Sequence, residues 1–295
     1  MKKYLKEFKA GKIEVSLMVN KILNRDGNMT AYLGDKSGDV RSVFKTEGID
    51  INVGDILSTK GTLADTYKID SIKKIKAIEL RDYLPSVETS LDSILEELNK
   101  ISEEEFKSEE AKALNDYFFK DEEFMSMFKD AIGGVYQHHN YLGGLAEHTL
   151  GVTYLTKVLC DRYHTRYREI AILGAKLHDI GKVYEMDYNG PFKYSLRGDL
   201  EGHIVIGITM LEEAFKENPN IYTEDFKQRI KAIIVQHHGK VEFGSPKSPN
   251  TQESYIVHYA DYVDATLNKI NIVGKDVEKG KWSDYERRIE GRLFM

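Results

Sequence analysis

The hydrophobic period changes partway along this chain, from two residues before Pro85 to a helical repeat after it. A single sheet or a single bundle cannot satisfy both periods. The chain must therefore build a β module first and a helical module second.

In the first part Ile13, Val15, Leu17 and Val19 point one way, and Glu14, Ser16 and Asn20 the other, with Met18 an apolar exception. That alternation is the mark of a strand. Turn clusters at 24–28 and 36–39 set off further strands at 29–33 and 40–44. Gly54-Asp55 precedes a strand over 56–63, and alternation returns over 67–78. Five short strands with polar turns predict a small barrel or sandwich. Hairpin lengths and Gly-Asp turns suggest an OB-like barrel of the kind that binds single strands. Tyr32, Phe44 and Tyr67 are its candidate stacking rings, with core packing the competing role.

After Pro85, Thr89 is placed to cap a helix carrying Leu91, Ile94, Leu95 and Leu98. Ser102 followed by Glu105 has capping-box spacing. From there to Ile270 the chain reads as helices joined by short loops. The expected division is an OB-like nucleic-acid-binding domain over 1–82, a helical linker over 83–130 and an all-α domain over 131–295.

The net charge of −6 gives no global basic field. Residues 1–80 nevertheless hold 15 Lys/Arg against 11 Asp/Glu, while the rest hold 27 against 37. The first part can face a polyanion, and the second suits a cation site. No apolar stretch approaches the roughly 20 residues of a membrane helix, and no signal-peptide run follows the charged N-terminus. One cysteine, Cys160, excludes an internal disulfide and fits a reducing, cytoplasmic setting.

The histidines carry the chemistry. His148 opens a helix after Gly143-Gly144; His178-Asp179 ends the apolar run from Ile170; His203 opens another helix; His237-His238 ends a third; Asp261 lies inside a fourth. His237 shares a face with Ile230, Ile233 and Ile234, and Asp261 follows Val257 by four, so both face a core. A buried aspartate must be paired or bound to a metal. Imidazoles and carboxylates suit divalent manganese, iron, cobalt or zinc. Six such groups exceed the needs of one tetrahedral ion.

The ordered series of His, His-Asp, His, His and Asp resembles the HD superfamily of metal-dependent phosphohydrolases. The strings HHNYLGGLAEHT (138–149), KLHDIGKVYEM (176–186), LEGHI (200–204), VQHHG (235–239) and YADYVDA (259–265), behind an OB-like region, resemble the YhaM-type exoribonucleases of Gram-positive bacteria. The resemblance implies a 3′-5′ exoribonuclease acting on single-stranded RNA and some single-stranded DNA, stimulated by manganese. It implies two divalent ions bridged by Asp179, with His148, His178 and Asp261 on one and His203 and His237 on the other. Asp179 and Lys182 are the catalytic candidates; Lys182 would hold a phosphate oxygen or, alternatively, cap a helix C-terminus. His238 is expected to orient a ligand, with direct ligation and a surface role left open. His139 is a substrate-contact candidate, with local structure the competing role. Arg197 and Lys247 lie on loops expected to rim the pocket. An oligomer is left open, with the tail 271–295 as its contact. Two other classes compete: a phosphohydrolase of small nucleotides or cyclic dinucleotides, and a non-catalytic nucleic-acid or nucleotide-binding protein.

Overall fold

The computed structural model describes residues 3–76, 79–136 and 138–295. It divides into two compact units. One comprises Met1–Ser86 with Asp187–Lys193, and the other Val87–Met186 with Tyr194–Met295.

In the first unit, β1 (Gly11–Asn24), β2 (Met29–Asp35), β3 (Gly38–Phe44), β4 (Ile56–Leu63) and β5 (Tyr67–Ile75) pair in the ring order β1-β2-β3-β5-β4, with β4 returning to β1. The first strand serves two neighbours. Its residues 11–18 pair with β4, and from Met18 to Asn24 it pairs with β2, through register shifts between Val19 and Lys21 and between Ile22 and Asn24. Such shifts bend a strand, which lets one strand border both sides of a small barrel. The remaining seam, β3 against β5, is parallel and two residue pairs long. These pairings join the five strands into one small barrel-like sheet. The expected final strand stops at Ile75; Ala77 and Ile78 lie outside the described residues.

The alternation predicted for β1 holds: Val15, Leu17 and Val19 are buried with Ala31, Leu33, Phe44, Leu57 and Tyr67 in one core. Tyr67 keeps its hydroxyl satisfied inside that core, 3.0 Å from the Thr59 hydroxyl, which in turn donates to the Val15 carbonyl. Phe44 and Tyr67 are therefore core rings, not stacking platforms, and Tyr32 is half-buried.

The second unit is helical: α1 (Leu91–Glu105), α2 (Glu109–Phe119), α3 (Glu122–Asp130), α4 (Gly144–Tyr163), α5 (Arg168–Leu177), α6 (Lys182–Glu185), α7 (Leu196–Glu217), α8 (Glu224–Gln236) and α9 (Gln252–Gly274). Two-residue strands β6 (Met186–Asp187) and β7 (Lys193–Tyr194) pair between α6 and α7. α4, α5, α8 and α9 pack through Val152, Ala175, Ile233, Val257 and Ala260, all buried. Residues 83–130 supply α1 to α3; α1 packs on α4 and α5, and α2 on α5.

Two capping expectations are corrected. Ser90, not Thr89, occupies the N-cap of α1. Ser102 starts no new helix: α1 runs on to Glu105, and the Ser102 hydroxyl donates back to the Leu98 carbonyl. Its second partner is the ammonium of Lys176, 2.8 Å away, so a tertiary bond overrides the local signal. Side-chain caps do form at Ser108, Asp121, Ser195, Thr223 and Thr251.

Candidate metal centre

Six elements deliver polar side chains to one buried point. His148 sits in the second turn of α4 and is fully buried. His178 and His237 end α5 and α8 in the same way: each ring Nδ1 meets the carbonyl three residues back, Ala175 at 2.7 Å and Ile234 at 2.8 Å. Those carbonyls are among the unpaired acceptors of a helix C-terminus. Each bond fixes the tautomer, so Nδ1 carries the proton and Nε2 offers a lone pair inward.

His203 is set by a break in α7. Gly202 takes φ 72 and ψ 157, a conformation essentially restricted to glycine, so the helix restarts at His203. One carboxylate oxygen of Glu185 then accepts both the His203 backbone N–H and its Nδ1–H, each at 2.9 Å. The approach of α6 to α7 explains Gly181 of the HDIGK string, because a Cβ there would collide with the His203 carbonyl. His148 is oriented in turn by Asp264, whose oxygen lies 2.7 Å from Nδ1. Sequence reasoning missed Glu185 and Asp264. The available signal for Asp264 was its place one turn after Asp261 on α9; the 18-residue separation of Glu185 from His203 gave none.

The inward atoms form two groups around Asp179. Its Oδ2 lies 3.4 Å from His148 Nε2 and 3.2 Å from His178 Nε2, while Asp261 Oδ1 is 3.2 Å from His148 Nε2. Its Oδ1 lies 3.5 Å from both His203 Nε2 and His237 Nε2. Donors around a tetrahedral ion with bonds of roughly 2.1 Å are separated by roughly 3.4 Å, so both groups have the spacing of a coordination shell. All six expected ligands are thus brought together.

His238 lies beside them, which gives the direct-ligation role left open for it a geometric basis. Its Nε2 is 3.2 Å from His203 Nε2, and His203, His237 and His238 together offer one of the donor groups able to hold an ion. Burial, then the nearby His237 and His203, push its pKa down to about 3, and burial likewise lowers His237. Both imidazoles are therefore neutral lone-pair donors at ordinary pH.

The opposite holds at His148. Burial disfavours its charge, but hydrogen bonds to Asp179, Asp261 and Asp264 outweigh burial and hold the imidazolium well above the usual histidine range. Burial would raise Asp179, yet Lys182 and His178 keep it well below the carboxylate range; Asp261 is likewise held low against burial by His148, His178 and His237. The three carboxylates around His148 thus favour its charged form in the metal-free protein.

A metal fits this chemistry on a direct observation. Asp179 Oδ1 and His237 Nε2, 3.5 Å apart, are both buried without a hydrogen-bond partner. Unpaired buried acceptors cost free energy unless something positive stands among them.

Lys182 does not cap a helix C-terminus. Its buried ammonium is 2.7 Å from Asp179 Oδ2 and donates to the Gly133 carbonyl at 2.7 Å. His139 is buried in a left-handed conformation (φ 51), with Nε2 3.6 Å from Asp264 Oδ2 and 3.7 Å from a Glu147 oxygen. It stands behind the His148–Asp264 pair. Arg197 binds Glu201 one turn along α7 at 3.0 Å, and Lys247 is exposed on the 240–250 loop.

Residues 145–266 match the HD domain family. Over 276 residues the chain is 31% identical to the 3′-5′ exoribonuclease YhaM of Geobacillus sp. (strain WCH70), covering 92% of this chain and 82% of that one. It is 28% identical to the 3′-5′ exoribonuclease YhaM of Bacillus subtilis (strain 168), covering 96% and 88%. It is 27% identical to that of Listeria welshimeri serovar 6b, covering 100% and 98%. No solved structure matches the chain.

Proposed function

The chain belongs to the YhaM-type family of 3′-5′ exoribonucleases, and we propose that it is a metal-dependent 3′-5′ exoribonuclease that cleaves single-stranded RNA at a centre of two divalent ions. The observation that carries the metal count is the pair of donor groups sharing Asp179, one on each carboxylate oxygen.

In this reading Asp179 would serve both ions. His148, His178 and Asp261 would hold one, and His203, His237 and His238 the other. The ions would activate a water for attack on the phosphodiester and neutralise the departing oxygen. Asp264, Glu185 and the Ala175 and Ile234 carbonyls hold the ligand rings in register, so little reorganisation accompanies binding. Lys182 balances the charge of Asp179 and keeps a fixed ammonium beside the reacting phosphate. No nucleophilic side chain is required, in line with a sequence that has no G-x-S-x-G elbow.

The division of labour follows the expected domains: 1–82 to hold a single strand, 83–130 to buttress, 131–295 to hydrolyse. Manganese suits a mixed imidazole and carboxylate shell; iron, cobalt and zinc are the competing ions. Single-stranded DNA is a secondary substrate. Among the described residues no helix is long and apolar enough to cross a membrane. The lone, buried Cys160 fits a cytoplasmic site of action.

The test is incubation with Mn²⁺ and a 5′-end-labelled oligoribonucleotide. A ladder of stepwise shortening is the expected result. Intact RNA with hydrolysis of a cyclic dinucleotide would assign the centre to small nucleotides. Binding of RNA without hydrolysis of either substrate would make the protein a binding module.

A further inference from the structure

The outward face of α9 is unusual for a helix whose other face holds two residues of the metal centre. Tyr255, Tyr259 and Tyr262 are 48%, 55% and 59% exposed, and Val263 stands beside them, also exposed. The spacing of four and three residues places the three tyrosines on one stripe of the helix. A stripe of large exposed rings of this kind marks a binding surface more often than a solvated face.

The stripe is joined to the centre through His258. That imidazole donates to the backbone carbonyl of His237 at 2.8 Å. It sits so close to Gly239 that a side chain at 239 would collide with it, and Gly239 takes the left-handed φ of +82 that the contact needs. On its other side the His258 ring is 5.2 Å from Tyr259 and 6.5 Å from Tyr262, and Tyr255 lies near-parallel to Tyr259 at 6.4 Å and 26°. Four rings therefore run without interruption from the backbone of a ligand residue out along α9. The exposed Lys240 follows Gly239 in sequence, with its ammonium 5.9 Å from the centroid of the exposed Phe243 ring.

We propose that Tyr255, Tyr259 and Tyr262 are a stacking row for the bases of single-stranded RNA, leading along α9 to the metal centre. The inference rests on the exoribonuclease reading and assigns part of its substrate path. Stacking on ring faces is indifferent to base identity, which suits a hydrolase of mixed-sequence RNA. Tyrosine brings large contact area with few rotatable bonds, so little entropy is lost when a base docks. The bond from His258 to the backbone of His237 ties the row to the hydrolytic centre, which favours a strand of its substrate over a second copy of the chain.

The experiment uses the full-length protein in EDTA, so that binding is read without turnover. Fluorescence anisotropy of a labelled oligoribonucleotide is compared for wild type, the Tyr255→Ala/Tyr259→Ala/Tyr262→Ala variant and the corresponding triple Phe variant. The Ala variant should bind at least about tenfold more weakly, and the Phe variant should bind within about twofold of wild type, because stacking needs the ring and not the hydroxyl. Exposed helix positions tolerate alanine, and a thermal melt checks folding. Equal affinity of wild type and the Ala variant would overturn the proposal. Equal affinity with a changed mass by light scattering would overturn it in favour of a second copy. A wild type that binds RNA but does not shorten it with Mn²⁺ would sink the exoribonuclease reading, while the same affinity ratio would still judge the row.

Discussion

Asp179 Oδ1 and His237 Nε2 lie 3.5 Å apart, both buried and neither with a hydrogen-bond partner. Because His237 Nδ1 meets the Ile234 carbonyl, its Nε2 carries a lone pair, and two electron-rich atoms face each other in a buried interior. Such an arrangement suits a cation between them. The same carboxylate contacts every other inward group of the first shell except Asp261 through its second oxygen.

Substituting that carboxylate should separate chemistry from substrate holding. Asp179→Ala or His178→Ala is expected to reduce RNA hydrolysis to background and to lower the bound manganese measured by elemental analysis. Affinity for the oligonucleotide should stay within about threefold, since the stacking row and the barrel are untouched. Parallel loss of affinity and hydrolysis would contradict that division.

The orienting carboxylates should matter nearly as much as the ligands. Glu185→Ala removes the acceptor of both the His203 ring and its backbone N–H; Asp264→Ala frees the His148 ring. Each should weaken Mn²⁺ binding by about 10–100-fold in a calorimetric titration. Unchanged affinity would mean the rings are held by packing alone.

Metal binding should be strongly pH-dependent through His148. Its imidazolium is stabilised in the metal-free fold, so its folded pKa lies above the unfolded value. That contribution to stability is complete below the unfolded value of about 6.5 and is lost as pH rises through the folded one. A metal needs the same Nε2 and must displace the proton. The melting-temperature gain from a fixed Mn²⁺ concentration should therefore be larger near pH 8 than near pH 6. Equal gains at both would show that no proton is displaced.

Lys176 predicts a second pH effect, remote from RNA. Its ammonium is buried, bonded to Ser102 and Asn115 and 3.8 Å from the Phe119 ring centroid. Burial pushes its pKa down to about 7, with Asp116 opposing. Between about 7 and the unfolded value of about 10.4, the unfolded chain binds more protons than the native one, so stability rises with pH across that window. At and below pH 7 the full penalty applies. Lys176→Met should flatten the rise of the urea midpoint above neutral pH; an identical slope in the variant would remove Lys176 as its source.

The two periods and the ligand series were legible because both are local or strictly ordered along the chain. Ile13 to Val19 shows its inward face by alternation, and His237 shows its face by the isoleucines before it. What stayed hidden depends on neighbours distant in sequence. Glu185 acts only because Gly202 breaks α7 and presents two N–H groups to it. Ser102 has the spacing of a cap but is claimed by Lys176, 74 residues away. His238 gave no sign of its direction, because it lies past the last regular turn of α8, where helical periodicity no longer applies. The tyrosines of α9 were readable as residues but not as a surface: Tyr255 and Tyr259 become a row only once Val257 and Ala260 are known to face the core.

The break at Gly202 has a consequence for how such chains can diverge. Since His203 is positioned by Glu185 from behind and by a fresh helical start, the loop between β6 and β7 does not set its place. Insertions or deletions there should be tolerated across relatives so long as the glycine and its carboxylate partner persist, making this segment a natural place for length variation beside a centre that admits almost none.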